Sequence, residues 1–457
     1  MIFSKYLLPL GALLTTALSQ TVPQNVDNST YPPIFPLNKD TEFAFVLEEM
    51  LALSNGGGAN TGEVLRAATR IIPGSFESFY SAFFFFAEKI HSQAVSALKG
   101  GFKVSARDAF FRSSTYYRAA DFFLHGNITD PRIYSLWDSA LADFDSALSL
   151  MDIPGVRFNI TSGHGFTVPV IFYKAKDCNE KTPTVLACSG YDGSQEEMYH
   201  QIGTKILERG WNFVSYEGPG QPTVRRQQNI GFRPDWWDVV TPVVDWLATR
   251  GDVDMDRLAL EGISFGGTLA PRAASREHRF AAVLSVDGLD SLFDVLYAAF
   301  GPQIAGLFDS GNKTAFDVVM KSLQTNSSLP AQTRWIIDQG EFAFNTTSAF
   351  EWWTGLKTIN LTKDIIEPIN VPIFIGKGQD DASTDDQPEL MRKLAESVGK
   401  TPTYHFFETD LGAGEHCQLG AESQLAMVTM DWLDGVFKNV TGKNKAGEIG
   451  QHHWRRM

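Results

Sequence analysis

A chain of 457 residues is longer than one hydrophobic core usually grows, so a large domain with a substantial cap, or two domains, is expected. With 43% hydrophobic and 20% charged residues, the composition is that of a packed globular protein and excludes collagen-like or disordered chains. A formal charge of −14 excludes a polyanion-binding role, because neutralising phosphates takes clustered Lys and Arg. No nucleic-acid partner is expected.

Residues 1–19 have the parts of a secretory signal: Lys5, an apolar run over 6–14, and small residues at Ala17 and Ser19. The run is broken by Pro9 and Gly11 and is too short for a bilayer of about 30 Å, so a secreted or lumenal protein without a permanent membrane anchor is expected. Residues 20–40 hold Pro23, Pro32, Pro33 and Pro36 and read as an extended leader. Sequons at Asn28, Asn127, Asn159, Asn312, Asn326, Asn345, Asn360 and Asn439 are candidate glycan sites in such a chain. Cys178, Cys188 and Cys417 allow at most one internal disulfide, and free buried thiols are the expectation. No metal-ligand spacing and no cofactor motif is found.

From 41 to 151 apolar residues recur at helical intervals, as in Phe43, Val46 and Met50, then Phe110, Tyr117, Ala120 and Leu124, which predicts a helical cap domain. The run from Phe83 to Phe86 is apolar all round, predicting either a deeply buried helix or a chamber wall. After Pro154 the period changes, and 157–160 with 166–173 reads as a hairpin. Short apolar runs at 184–188, 212–216, 258–260, 281–286, 373–375 and 404–407 then alternate with helical stretches. This predicts a doubly wound, mostly parallel α/β sheet over 152–442. A lid-like insertion is expected at 289–370, with Trp352 and Trp353, together with Phe83, as candidate pocket walls; 443–457 reads as a polar tail.

Gly262-Ile263-Ser264-Phe265-Gly266-Gly267 follows a predicted strand and precedes a helical stretch, the setting of a G-x-S-x-G nucleophile elbow. In the α/β-hydrolase order an acid and then a histidine follow. Asp381, chosen over Asp380 for its G-x-x-D spacing from Gly378, and His416 fill those places, giving Ser264, His416 and Asp381 as nucleophile, general base and orienting acid. The oxyanion would be held by the amides of Phe265 and of Tyr191, with Asp192 as the alternative to Tyr191. Glu217 is a candidate auxiliary acid or a loop-stapling acceptor. Arg225 and Arg226 are either holders of an anionic substrate oxygen or a salt-bridged pair.

Ser105-Ala106-Arg107, Tyr116-Tyr117-Arg118-Ala119-Ala120, Glu217-Gly218-Pro219-Gly220-Gln221, the Ser264 elbow and Gly412-Ala413-Gly414-Glu415-His416 together resemble fungal α/β-hydrolases of secondary metabolism. The likeness spans about residues 40–440, is to fusarin-pathway and heptaketide-pigment hydrolases, and more distantly to the bacterial dihydropseudooxynicotine C–C hydrolase. It implies a helical cap over a hydrolase core and cleavage or rearrangement at a carbonyl of a bulky, apolar, polyketide-like small molecule. Pro222 departs from the family's usual Gly-Gln-Gly continuation. Three other readings compete: a prolyl-oligopeptidase-related peptidase, disfavoured because a helical segment stands where a β-propeller would; a non-catalytic binding protein on the same fold; and a non-hydrolytic cyclisation.

Overall fold

The structure is a computed structural model that describes residues 35–175 and 180–454, with side chains up to 440. The signal segment, most of the leader, Asn28 and Cys178 lie outside the described residues. Eight strands form one sheet in the order β1-β2-β4-β3-β5-β6-β7-β8: β1 (Val156–Thr161), β2 (Thr167–Tyr173), β3 (Thr182–Cys188), β4 (Asn212–Tyr216), β5 (Val253–Ile263), β6 (Ala282–Val286), β7 (Ile373–Gly378) and β8 (Thr403–Phe407). The first two strands pair antiparallel as a hairpin, β2 meets β4 antiparallel, and every later pairing is parallel. Edge strand β1 alternates in exposure, whereas β3, β4 and β6 are buried throughout, as parallel strands covered on both faces must be. β5 is longer than its apolar run predicts: at its carboxyl end Glu261 and Gly262 are paired on both sides, and at its start Val253 pairs with Thr182 of β3.

The N-terminal region folds as α1 (Thr41–Ala52), α2 (Thr61–Ala68), α3 (Phe76–Lys99), α4 (Lys103–Asp121) and α5 (Arg132–Ser149). The Asp40 carboxylate accepts the amides of Glu42 and Phe43, starting α1, and Gly101 at φ 81° turns the chain after α3. Between and after the strands come α6 (Gln195–Met198), α7 (Thr204–Glu208), α8 (Pro222–Gln228), α9 (Trp237–Ala248) and α10 (Gly266–Ala274). The insertion is itself helical: α11 (Leu292–Ala299), α12 (Gly301–Asp309), α13 (Lys313–Thr325), α14 (Ala331–Ala343), α15 (Ala349–Leu356) and α16 (Lys363–Ile366). Helices α17 (Gln387–Ser397) and α18 (Glu422–Trp454) close the fold, the latter running through most of the stretch expected as a tail.

The aromatic positions expected to wall the pocket do other work. Phe83 packs inside the helical layer, 5.0 Å from Phe79 and 6.0 Å from Tyr116 between ring centres. Phe85, on the opposite face, is exposed and covered by the Arg70 guanidinium at 4.0 Å, so the run of phenylalanines is neither wholly buried nor a chamber wall. Trp353 is the centre of the insertion's own core, among Phe293, Phe308 and Phe316, and Trp352 is buried against Gly340. A patch of amphipathic helix needs a core of its own before it can offer a wall to a ligand, and these residues supply it.

A buried polar chain ties the three layers together. Arg226 on α8 pairs with Asp121 on α4 and stacks over Trp137 and Phe342. His125 bridges Asp121 at 3.1 Å and Gln339 on α14 at 2.6 Å. Gln339 Nε2 in turn donates to the carbonyl of Tyr191 at 3.0 Å. Burial pushes Asp121 up, but Arg226 and His125 outweigh it and hold the carboxyl below its usual range.

Candidate active site

Ser264 follows β5 with φ 59°, a left-handed conformation that costs a serine energy and is held by its amide to the Val286 carbonyl at 2.9 Å. A side chain at Gly262 would strike the Gly266 carbonyl at 1.9 Å, so the sharp turn exists only because glycine stands there. The turn aims Ser264 Oγ at His416 Nε2, 2.9 Å away, and His416 Nδ1 donates to Asp381 Oδ2 at 2.8 Å. Asp381 also accepts the amides of Ser383 at 2.8 Å and Thr384 at 3.2 Å, and the Thr384 hydroxyl. Burial raises Asp381, yet His416 and these donors prevail and hold it at about 2. Asp380 is directed elsewhere, accepting from the Thr409 hydroxyl at 3.0 Å.

The Ser189–Gly193 turn faces the serine. A Cβ at Gly190 would lie 2.9 Å from both Ser264 Oγ and the Phe265 amide nitrogen, so the missing side chain leaves a small open volume beside that donor. Among the described residues no acceptor takes the amide of Phe265 or Tyr191. The Tyr191 ring is buried, stacked 5.7 Å from Phe232 and edge-on to Phe265. Gln221 locks this turn: its Nε2 donates to the carbonyls of Ser189 at 2.9 Å and Gly190 at 3.2 Å, while its Oε1 accepts the Gly218 amide. Pro222 then opens α8 at a position that needs no donor, which accounts for the departure from Gly-Gln-Gly.

Glu217 is a staple. It is fully buried, and its two oxygens accept the amides of Gln195 at 3.0 Å and Thr223 at 2.6 Å, at the starts of α6 and α8. Burial and the nearby Glu196 push it up to about 7. Arg225 donates to the Phe342 carbonyl and to Asn229, and Arg226 belongs to the buried chain described above, so both are structural cations. Cys188 and Cys417 are free and buried.

Asp287 is a site residue that periodicity does not reveal. It ends β6 with φ 47°, and its carboxylate accepts the amides of Gly378 and Cys417, each at 2.7 Å, and Gln418 Nε2 at 2.8 Å. It therefore binds the start of the acid loop to the residue after His416. Burial and the neighbouring Asp381 push its carboxyl up to about 7, against His416 and the two amides. Its place beyond the carboxyl end of a buried parallel strand, where such sheets carry their sites, was the available signal.

A cavity opens on this chain of groups, bounded by Ser264, His416, Gly190 and Asp192 from the core and by Phe45 and Glu49 from α1. Phe45 sits 6.3 Å from the His416 ring between centres, so the helical layer roofs the serine.

Residues 167–418 match the profile of the X-Pro dipeptidyl-peptidase (S15) family. Hydrolase LUC6 of a Fusarium species is 30% identical over 417 residues, covering 88% of this chain and 98% of that one. Hydrolase acrC of Aspergillus aculeatus is 33% identical over 429 residues, covering 87% and 96%. The chain belongs to the fungal α/β-hydrolases of secondary metabolism. The solved structure of 2,6-dihydroxy-pseudo-oxynicotine hydrolase superposes on this α/β-hydrolase with a TM-score of 0.64 at 18% identity, over 85% of this chain and 95% of that one, which is a likeness of fold.

Proposed function

We propose that this α/β-hydrolase is a secreted serine hydrolase that cleaves an ester, lactone or activated C–C bond at a carbonyl of a bulky polyketide-like metabolite. The carrying observation is the hydrogen-bonded series Ser264, His416, Asp381 under a roof from α1. Ser264 adds to the carbonyl as His416 takes its proton, and the ionised Asp381 fixes the imidazole tautomer and supports the imidazolium. The developing oxyanion enters the volume beside Gly190, within reach of the Phe265 amide and the free amide of the Tyr191 turn. His416 returns the proton to the leaving group, and water then releases the acyl group by the same route.

A fluorophosphonate probe should label the wild type and fail on Ser264→Ala. Turnover of aryl esters and of a β-diketone in ¹⁸O water should place label in the released acid; an unlabelled product of unchanged mass would instead establish cyclisation. The S15 profile favours one second reading, a peptidase, which predicts release of nitroaniline from an X-Pro nitroanilide. Secretion is supported by exposed sequons at Asn127, Asn159, Asn312, Asn326, Asn345 and Asn439. Culture-medium protein that starts after residue 19 and loses mass with an N-glycosidase is the expected result.

A further inference from the structure

Glu49 stands in the wall of the Ser264 cavity, one helical turn after Phe45. That turn of α1 approaches the reacting groups, since Phe45 packs against the His416 ring. Glu49 is half-buried, and among the described residues its carboxyl makes no hydrogen bond or ion pair. The cation that acts on it, Arg118 on α4, donates to the Asp192 carbonyl at 2.5 Å and lies 3.6 Å from Glu197. Burial, reinforced by Glu197 and Asp192 and opposed by Arg118, pushes Glu49 up to about 8. At neutral pH it is a carboxylic acid, a proton donor in the cavity wall.

We propose that Glu49 holds, and in the reaction protonates, the second carbonyl oxygen of a 1,3-dicarbonyl substrate whose first carbonyl is attacked by Ser264. This rests on the reading of Ser264 as nucleophile. When the tetrahedral adduct collapses, the C–C bond between the carbonyl carbon and the central carbon breaks. Its electron pair moves through the central carbon onto the second oxygen, which takes the Glu49 proton and leaves as an enol. The proton that His416 received from Ser264 passes through solvent to the Glu49 carboxylate, restoring both groups before water attacks the acyl-serine. The sum is addition of one water across the C–C bond, giving an acid and a ketone. An enol and a carboxyl raised to this range are close in acidity, so the transfer is nearly level in energy, the condition under which general acids work best. Asp192 and Glu197 beside the newly ionised Glu49 favour its reprotonation.

The test compares wild type, Glu49→Gln and Glu49→Leu on 4-nitrophenyl butyrate and 1-phenylbutane-1,3-dione. Nitrophenolate leaves without a proton, so, beyond whatever a changed cavity wall costs both reactions, kcat on the diketone should fall by about 20-fold or more relative to kcat on the ester in both variants. The diketone reaction of the wild type should lose rate as pH rises through about 8, and Glu49→Gln should lack that limb. The titratable and charged groups facing Glu49 are Asp192, Glu197, Arg118, Cys417 and His416, and all remain in the variant. Equal losses on both substrates, or an unchanged diketone rate, would overturn the assignment. Fluorophosphonate labelling of the same samples keeps the two readings apart: label on Ser264 without diketone cleavage overturns the role of Glu49 alone, and absence of label overturns the nucleophile.

Discussion

Asp287→Leu would strip one buried carboxylate from three donors at once: the amides of Gly378 and Cys417 and the side-chain amide of Gln418. Each donor left unpaired in the interior costs about 1–3 kcal/mol. The three share one site and are not additive, so a loss of roughly 3–6 kcal/mol is expected, a large part of the 5–15 kcal/mol that holds a domain. Asp287→Asn is the informative variant because it keeps the shape and one acceptor oxygen. Its new NH₂ must face either Gly378 or the Cys417–Gln418 pair, so about 1–3 kcal/mol is lost and the loop carrying His416 shifts. A displacement of about 1 Å in a reacting group lowers rate by about 100-fold. Urea unfolding followed by tryptophan fluorescence gives the stability, and the rate of fluorophosphonate labelling gives the placement of His416. If Asp287→Asn unfolds at the wild-type urea concentration and labels at the wild-type rate, the bracing role assigned to this carboxylate is wrong.

Asp381→Asn should reduce turnover by about 10⁴-fold while Asp380→Asn stays within about tenfold of wild type, and the reverse order in a kcat comparison would displace the acid by one residue. Arg226→Met should destabilise by about 3–5 kcal/mol, because it leaves Asp121 buried without its main cation, as read by denaturant midpoint. Stability should also fall as pH rises. Glu42 and Glu217 are raised to about 7 and Glu261 to about 8, chiefly by burial, whereas in the unfolded chain such groups ionise near 4.3. The folded form therefore holds more protons between these limits, and the stability present below about 4.3 is lost as pH rises through 7 to 8. Asp381, held at about 2, works oppositely and is lost only as pH falls from about 3.9 toward 2. A melting temperature that rose between pH 5 and pH 8 would contradict this assignment of signs.

The elbow, the acid loop and the histidine loop were legible because each is a local pattern: glycines at fixed offsets after an apolar run of strand length. The sheet was legible for the same reason, although β5 extends past its apolar run, at its carboxyl end through Glu261 and Gly262, which are paired on both sides. What escaped the sequence is pairing between distant residues. Gln221 reaches Ser189 across 32 positions and Asp287 reaches Cys417 across 130, and no spacing rule links them. Hydropathy marked Phe83, Trp352 and Trp353 as inward-facing, but not which interior they face. Phe45 and Glu49, which do reach the cavity, sit on one stripe of a short helix whose other stripe carries Phe43 into the helical layer. Periodicity alone does not tell those stripes apart.

The roof supplied by α1 also has a consequence in time. Phe45 and Glu49 are translated well before His416, so roof and floor of one cavity come from stretches far apart in the chain. At roughly 5–20 residues per second the interval is on the order of a minute. Throughout it α1 can settle on its own layer through Phe43, whose ring packs against Phe76, Phe79 and Phe123, while the stripe bearing Glu49 still waits for its counterpart. A shortened product ending before His416 lacks the base proposed for Ser264, however well its cap folds. A product that starts after α1 keeps all three reacting side chains and loses the wall that closes over them. Transcripts trimmed at the two ends would thus fail differently, one as an inert cap and the other as an open serine site.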